Sequence, residues 1–166
     1  MVRSGTAVRA TTRSEAGRTA IEATGAECWI GTPDRLATLR GALENVTVLC
    51  WLLGNAAGPH EQLRALHTSR LEFFLTQAVD TTVRGLIYET RGAGASPSQL
   101  LLEGARIACA VAGRNAIPAR ELSGDPRDTG AWLAEASAAI ESLLGTPASS
   151  QATLSSTVIP KSRSGF

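Results

Sequence analysis

The chain has 166 residues, 43% of them hydrophobic and 19% charged, with a formal net charge of +1. That length holds one domain with a real core rather than two. A charge so near zero, with the arginines scattered, excludes the one-sign field that recruits nucleic acid or an anionic membrane. Cys28, Cys50 and Cys109 show no C-x-x-C spacing and sit in apolar segments. They read as packed thiols of a reducing cytoplasm, not as zinc ligands. The opening Met1-Val-Arg-Ser4 lacks the apolar core of a signal peptide, and no run approaches transmembrane length. A soluble, cytoplasmic protein is expected.

Taken in order, Thr6 to Thr12 reads as a strand that turns at Arg13-Ser14. Glu15 to Thr24 carries Ala16, Ala20 and Ile21 at helical spacing, with Gly25 as its C-terminal cap. Glu27 to Ile30 is a second strand. Thr32 and Pro33 then predict a helix start, with Leu36, Leu39 and Leu43 as its apolar stripe. The longest apolar run follows, Val46-Thr-Val-Leu-Cys-Trp-Leu-Leu-Gly-Asn55. It predicts the central strand, buried on both faces between helices.

After a loop, Glu61 to Val79 predicts the longest helix, with Leu63, Leu66, Leu71, Phe74, Leu75 and Ala78 near one side. Val83 to Glu89 is a fourth strand, and Arg91 to Pro97 a flexible loop. Leu101, Ala105, Ala108 and Ala112 mark a helix from about Ser98 to Ala112. Ile117 to Leu122 is a short last strand, where Pro118 favours its start or a sheet edge. Trp132, Ala136, Ile140 and Leu143 define a last helix ended by Gly145. Strand–helix alternation of this kind predicts an α/β domain over residues 1–145, a three-layer α/β/α doubly wound parallel sheet. Residues 146–166, rich in Ser, Thr, Pro and Ala without periodicity, predict a disordered tail.

Four segments, Val8 to Ser14, Gly25 to Asp34, Leu43 to Gly54 and Val83 to Glu89, resemble in order and spacing an atypical short-chain dehydrogenase/reductase. More loosely they are similar to the NAD(P)-binding domain of the NAD-dependent epimerase and NmrA-like group. The resemblance implies a Rossmann-like fold and covers residues 6–145. Such a chain opens with a strand, a glycine-rich turn and a helix, whose backbone amides approach the pyrophosphate. No such unit occurs here: Gly5, Gly17 and Gly25 do not form G-x-G-x-x-G, and too few residues precede Val8. In the Rossmann order the missing strand lies mid-sheet. Two outcomes are open. Either the chain is a truncated form with a gap in its sheet, the simpler account, or the flanking strands close up.

The resemblance also implies site residues. Arg9, Arg13 and Ser14 are expected near the carboxyl end of the first visible strand, where no acid stands to take a ribose hydroxyl. That implies NADP rather than NAD, although solvated arginines at a helix start account for them equally well. Thr32 and Asp34 match the region bordering the adenine, and a plain helix cap explains them more simply. Leu53, Gly54 and Asn55 match the segment beneath the cofactor's ribose, where a side chain at Gly54 would block backbone approach.

The chemistry beyond binding is thin. Tyr88 lies in a strand with Gly92 four residues on, and the only lysine is Lys161, so the superfamily's Tyr/Lys pair is absent. His60 and His67 are too far apart for a metal pair, and His67 reads as a surface or helix-face residue. Gly92-Ala-Gly94 reads as an ordinary loop. Two functions follow: an NADP-linked oxidoreductase-like or epimerase-like domain with impaired cofactor binding, or a non-catalytic regulatory or interaction module. Either would take a dinucleotide or small molecule as partner, and a homo-oligomer is compatible with both.

Overall fold

The computed structural model describes residues 5–94 and 98–145. The predicted tail at 146–166 lies outside them. Five strands appear: β1 (Arg9–Thr12), β2 (Glu27–Ile30), β3 (Val48–Trp51), β4 (Gly85–Glu89) and β5 (Ala119–Leu122). The helices are α1 (Arg18–Glu22), α2 (His60–His67), α3 (Ser69–Val79), α4 (Gln99–Arg114) and α5 (Thr129–Gly145). Every strand pairing is parallel, as expected of strands joined through helical crossovers.

The pairings form two sheets, β1–β2 and β3–β4–β5, where one was expected. Alternation along a parallel strand fixes which backbone groups point outward. Glu27 N donates to Val8 O and Gly31 N to Thr12 O. Val8, Ala10 and Thr12 are therefore committed to β2, and Arg9 and Thr11 face the other way. Gly85 N donates to Thr47 O, so Thr47, Leu49 and Trp51 serve β4 while Val48 and Cys50 face away from it. No described strand pairs with either outer edge.

The apolar run at 46–53 is thus not the central strand. β3 is an outer strand with Cys50 exposed, whereas all five residues of β4 are buried. The cause is pairing: β4 has a strand on each side and a helix on each face, and β3 has one strand neighbour. One face of the β3–β4–β5 sheet packs Leu86, Tyr88 and Trp51 against Leu66, Leu71, Phe74, Ala108 and Val111 of α2, α3 and α4. On the other face Ile87 and Leu122 meet Ala136, Ile140 and Leu143 of α5. Gly85 lets α5 come close, since a Cβ there would stand 3.2 Å from Leu143.

Three helices differ from expectation. Glu15–Gly17 is a 3₁₀ turn that precedes the short α1, and Gly25 (φ +83°) carries the chain out of it. Thr32 caps no helix. It bridges to Arg35, and two 3₁₀ turns follow, Leu36–Leu39 and Gly41–Leu43, which still bury Leu39 and Leu43. Gly41 lies under Trp29, where a Cβ would meet the indole at 2.6 Å. The long helix is broken at Thr68, whose backbone (φ −123°, ψ −96°) leaves the helical region. Its hydroxyl satisfies the carbonyl of Arg64 at 2.7 Å, and its own carbonyl accepts from Glu72 N at the start of α3. The α4 cap is as predicted, Leu101 N donating to Ser98 Oγ at 3.2 Å. Among the described residues no helix is long and apolar enough to cross a membrane.

Candidate functional site

The loops that leave the carboxyl ends of parallel strands are where an open α/β sheet builds a site. At the end of β1, Arg13 and Ser14 are both exposed, and Arg13 makes no hydrogen bond or ion pair among the described residues. Arg9 does not join them. It opens β1, about 13 Å from Arg13 at the strand rise, and its guanidinium is fully engaged. Arg9 pairs with Glu27 at 2.9 Å, donates to the carbonyls of Ala42 and Glu44, and lies 5.7 Å above the Trp29 ring. Those contacts make Arg9 a structural clamp between β1, β2 and the crossover that follows.

After β2, Thr32 is buried and its hydroxyl bonds both the amide and the carboxylate of Asp34. Asp34 pairs in turn with Arg70 of α3 at 2.7 Å. Leu53 and Gly54 are half-buried after β3, and Asn55 is exposed. Here the backbone approach expected at Gly54 occurs, and what approaches is protein. A Cβ on Gly54 would meet Arg91 O at 2.6 Å, and one on Gly92 would meet Gly54 O at 2.3 Å.

The group that organises this end of the sheet is Glu89, a buried carboxylate at the close of β4. It accepts from Gly54 N at 2.7 Å and from Trp132 Nε1 of α5 at 3.0 Å. Asn55 Oδ1 accepts from Ala93 N at 2.6 Å. Arg91 pairs with Asp125 at 2.9 Å, with its Nε buried and unpartnered. Arg127, followed by Arg91, holds the Asp125 carboxyl well below the usual carboxylate range. Glu89, Arg91, Asp125 and Trp132 escaped sequence reasoning. The available signal was an acid closing an otherwise apolar strand.

Two backbone donors of the loops after β3 and β4 are therefore already taken, Gly54 N by a carboxylate and Ala93 N by an amide oxygen. A phosphate placed there would lose those donors and meet the Glu89 charge. These loops do not fit a pyrophosphate.

His67 is the other departure. It is buried, and its Nδ1 lies 2.8 Å from the Tyr88 hydroxyl. Burial lowers the His67 pKa from its ordinary value and raises that of Tyr88. Gly104 of α4 makes room, since a Cβ there would stand 2.0 Å from the Tyr88 oxygen. With Tyr88 and His67 at 1% and 3% exposure, this pair touches no solvent-borne substrate. No group of three or more His, Cys, Asp or Glu side chains among the described residues is arranged to hold a metal.

Three solved structures are similar to this chain. The crystal structure of gox2253 matches with a TM-score of 0.57 at 16% identity, over 72% of this chain and 44% of its own. Two structures of Citrobacter sp. triphenylmethane reductase, one complexed with NADP(H), match with a TM-score of 0.53 at 20% identity. They are covered over 39% of their length by 70% of this chain. The fold is Rossmann-type. No protein-family model matches the sequence, and no curated protein does. The chain spans less than half the length of these neighbours.

The Rossmann order accounts for the two sheets. It sets β2 and β1 on one side of a strand, and β3, β4 and β5 on the other. β1 and β3 belong to separate sheets and do not pair with each other. Of the two outcomes left open by the sequence, closing up is not the one observed.

Proposed function

We propose that these residues form the larger part of an NADP-binding domain of the short-chain dehydrogenase/reductase or epimerase type. The adenosine end lies across the carboxyl ends of β1 and β2, with Arg13 and Ser14 toward the 2′-phosphate and Thr32 and Asp34 beside the adenine. Leu53, Gly54 and Asn55 form the floor next to the ribose. The observation that carries the reading is an all-parallel set of strands split into β1–β2 and β3–β4–β5, with an arginine at the end of β1 that has no partner among the described residues. Likeness to a reductase crystallised with NADP(H) supports it.

The 166 residues alone bind NADPH weakly or not at all. The pyrophosphate needs free backbone amides at a helix start, and in the glycine loops present Gly54 N and Ala93 N are committed to Glu89 and Asn55. Calorimetric titration tests this: micromolar affinity for the chain as it stands would overturn it. With a strand–glycine-turn–helix unit joined ahead of Met1, binding is expected to appear and to favour NADPH over NADH. Arg13→Ala in that longer chain should lower the preference on the order of tenfold, the worth of one charge-assisted hydrogen bond. An unchanged preference would remove Arg13 from the site.

A second reading, a non-catalytic regulatory or interaction module, draws on one observation: the only tyrosine of the chain is sealed against His67 inside the core. On this reading the longer chain binds NADPH and oxidises it no faster than buffer does. Turnover with any carbonyl or dye acceptor would overturn it.

A further inference from the structure

We infer that α2 is a proton-released lid over the Tyr88 hydroxyl, hinged at Thr68 and latched by His67. The inference stands apart from both functional readings, since it needs no cofactor and no turnover. Its first ground is that α2 is a separate short body. Pro59 precedes it, and at its other end the Thr68 backbone leaves the helical region before α3 begins. The first bond of α3, Glu72 N to Thr68 O, starts beyond that break, so α2 can move with α3 intact. Of the eight α2 residues only Leu66 and His67 are buried, whereas α3 buries Leu71, Phe74, Leu75 and Ala78. The lid is thinly anchored.

The second ground is the latch. The His67 ring meets the Tyr88 ring edge-on, centroids 6.1 Å apart, with Nδ1 2.8 Å from the hydroxyl. Gly104 completes the recess, since a Cβ there would strike that hydroxyl and stand 2.9 Å from the His67 carbonyl. Lifting α2 withdraws His67 and admits water to the Tyr88 oxygen.

The third ground is the charge around the ring. β4 brings Tyr88, with Glu89 beside it already bonded to Gly54 N and Trp132. The loop after β3 brings only the Leu53 carbonyl. α4 brings Gly104, its Glu103 and Arg106 being exposed. On α3, Arg70 is tied to Asp34 and Glu72 is exposed; on α2 itself His60, Glu61 and Arg64 are exposed, the last two paired. A proton on the closed ring would thus find no counter-charge and leave no lone pair for the Tyr88 O–H. Burial lowers the His67 pKa, against a smaller opposite pull from the Leu53 carbonyl. The open, hydrated ring regains its ordinary 6.5, so the open form takes the proton first as pH falls through that value. Closure is complete above it and gives way below.

The test is amide exchange on the full 166-residue chain at pH 7 and pH 5, each rate divided by that of an unstructured peptide at the same pH. Corrected exchange of Arg64, Ala65 and Leu66 should rise on the order of tenfold between the two. At both values it should be on the order of a hundredfold faster than that of Leu86 and Ile87, which open only with the whole fold. Iodination of Tyr88, the only tyrosine of the chain, should quicken by the same factor as α2 when referred to free tyrosine. His67→Gln takes no proton and should hold both corrected rates level; His67→Leu replaces it should that variant fail to fold. Amides of α2 that exchange in step with Leu86 and Ile87 would make the acid effect global and overturn the lid. So would corrected rates equal at the two pH values, or a pH response that survives the loss of His67.

Discussion

The two half-sheets are held together by different physics. In the β3–β4–β5 half, β4 is buried along its whole length and apolar side chains meet helices on both faces. In the β1–β2 half, no residue of either strand is buried. That half relies on side chains tied to backbone: Arg9 to the carbonyls of Ala42 and Glu44, and Trp29 Nε1 to Thr38 O at 2.8 Å. Burial scales with the area taken from water, whereas a hydrogen bond exchanges one partner for another at small net gain. The half with three strands should therefore carry most of the stability.

Truncations at matched isoleucines break that comparison most directly. Ile87→Ala in β4, where the residue is 1% exposed, should cost about 4 kcal/mol. Ile30→Ala in β2, at 38% exposure, should cost less than about 1 kcal/mol. Urea midpoints measure both, and equal losses would show that the halves are equally packed. Next in size, Gly104→Ala places a methyl against the Tyr88 oxygen and His67 O, at an expected cost of about 3 kcal/mol.

Tyr88→Phe leaves His67 Nδ1 buried without a partner, for about 1–2 kcal/mol. The same pair sets a pH dependence. Desolvation lowers the His67 pKa, so as pH falls below the ordinary value of 6.5 the unfolded chain takes up the proton first. Stability is complete above that value and declines toward the lowered folded pKa. His67→Gln should flatten this slope in thermal melts between pH 7 and pH 5, and an unchanged slope would place its origin elsewhere.

What could be read in the sequence followed from local signals. Ser98 announced α4 because its cap is a contact three residues long. The split into two sheets was one of the two outcomes left open, because a missing opening leaves a countable hole in a known strand order. Several features could not be read. The run at 46–53 shows how apolar β3 is, but its neighbours are chosen by residues 85–88, far along the chain. The break at Thr68 carries no glycine or proline, and His67 adjoins Leu66 on the buried side of α2. Arg9 looked like a ligand residue because charge on a strand is visible and its partners at 42 and 44 are not. Glu89 was missed for the converse reason, since Gly54 and Trp132 reach it only after folding.

The separation along the chain of the paired strands has a consequence for how the molecule assembles. Arg9 and Glu27 join β1 to β2 across 18 residues, whereas Thr82 reaches Val46 across 36 and Thr90 reaches Leu122 across 32. Closing a longer loop costs more entropy, though only logarithmically, and the large apolar core repays it. The β1–α1–β2 unit can thus form early and dissolve easily, while β3, β4 and β5 can persist only together, since β4 supplies the partner of both. A protease acting under native conditions should cut first between Arg13 and Arg40, releasing a β3–β5 core that stays folded long after its smaller neighbour is gone.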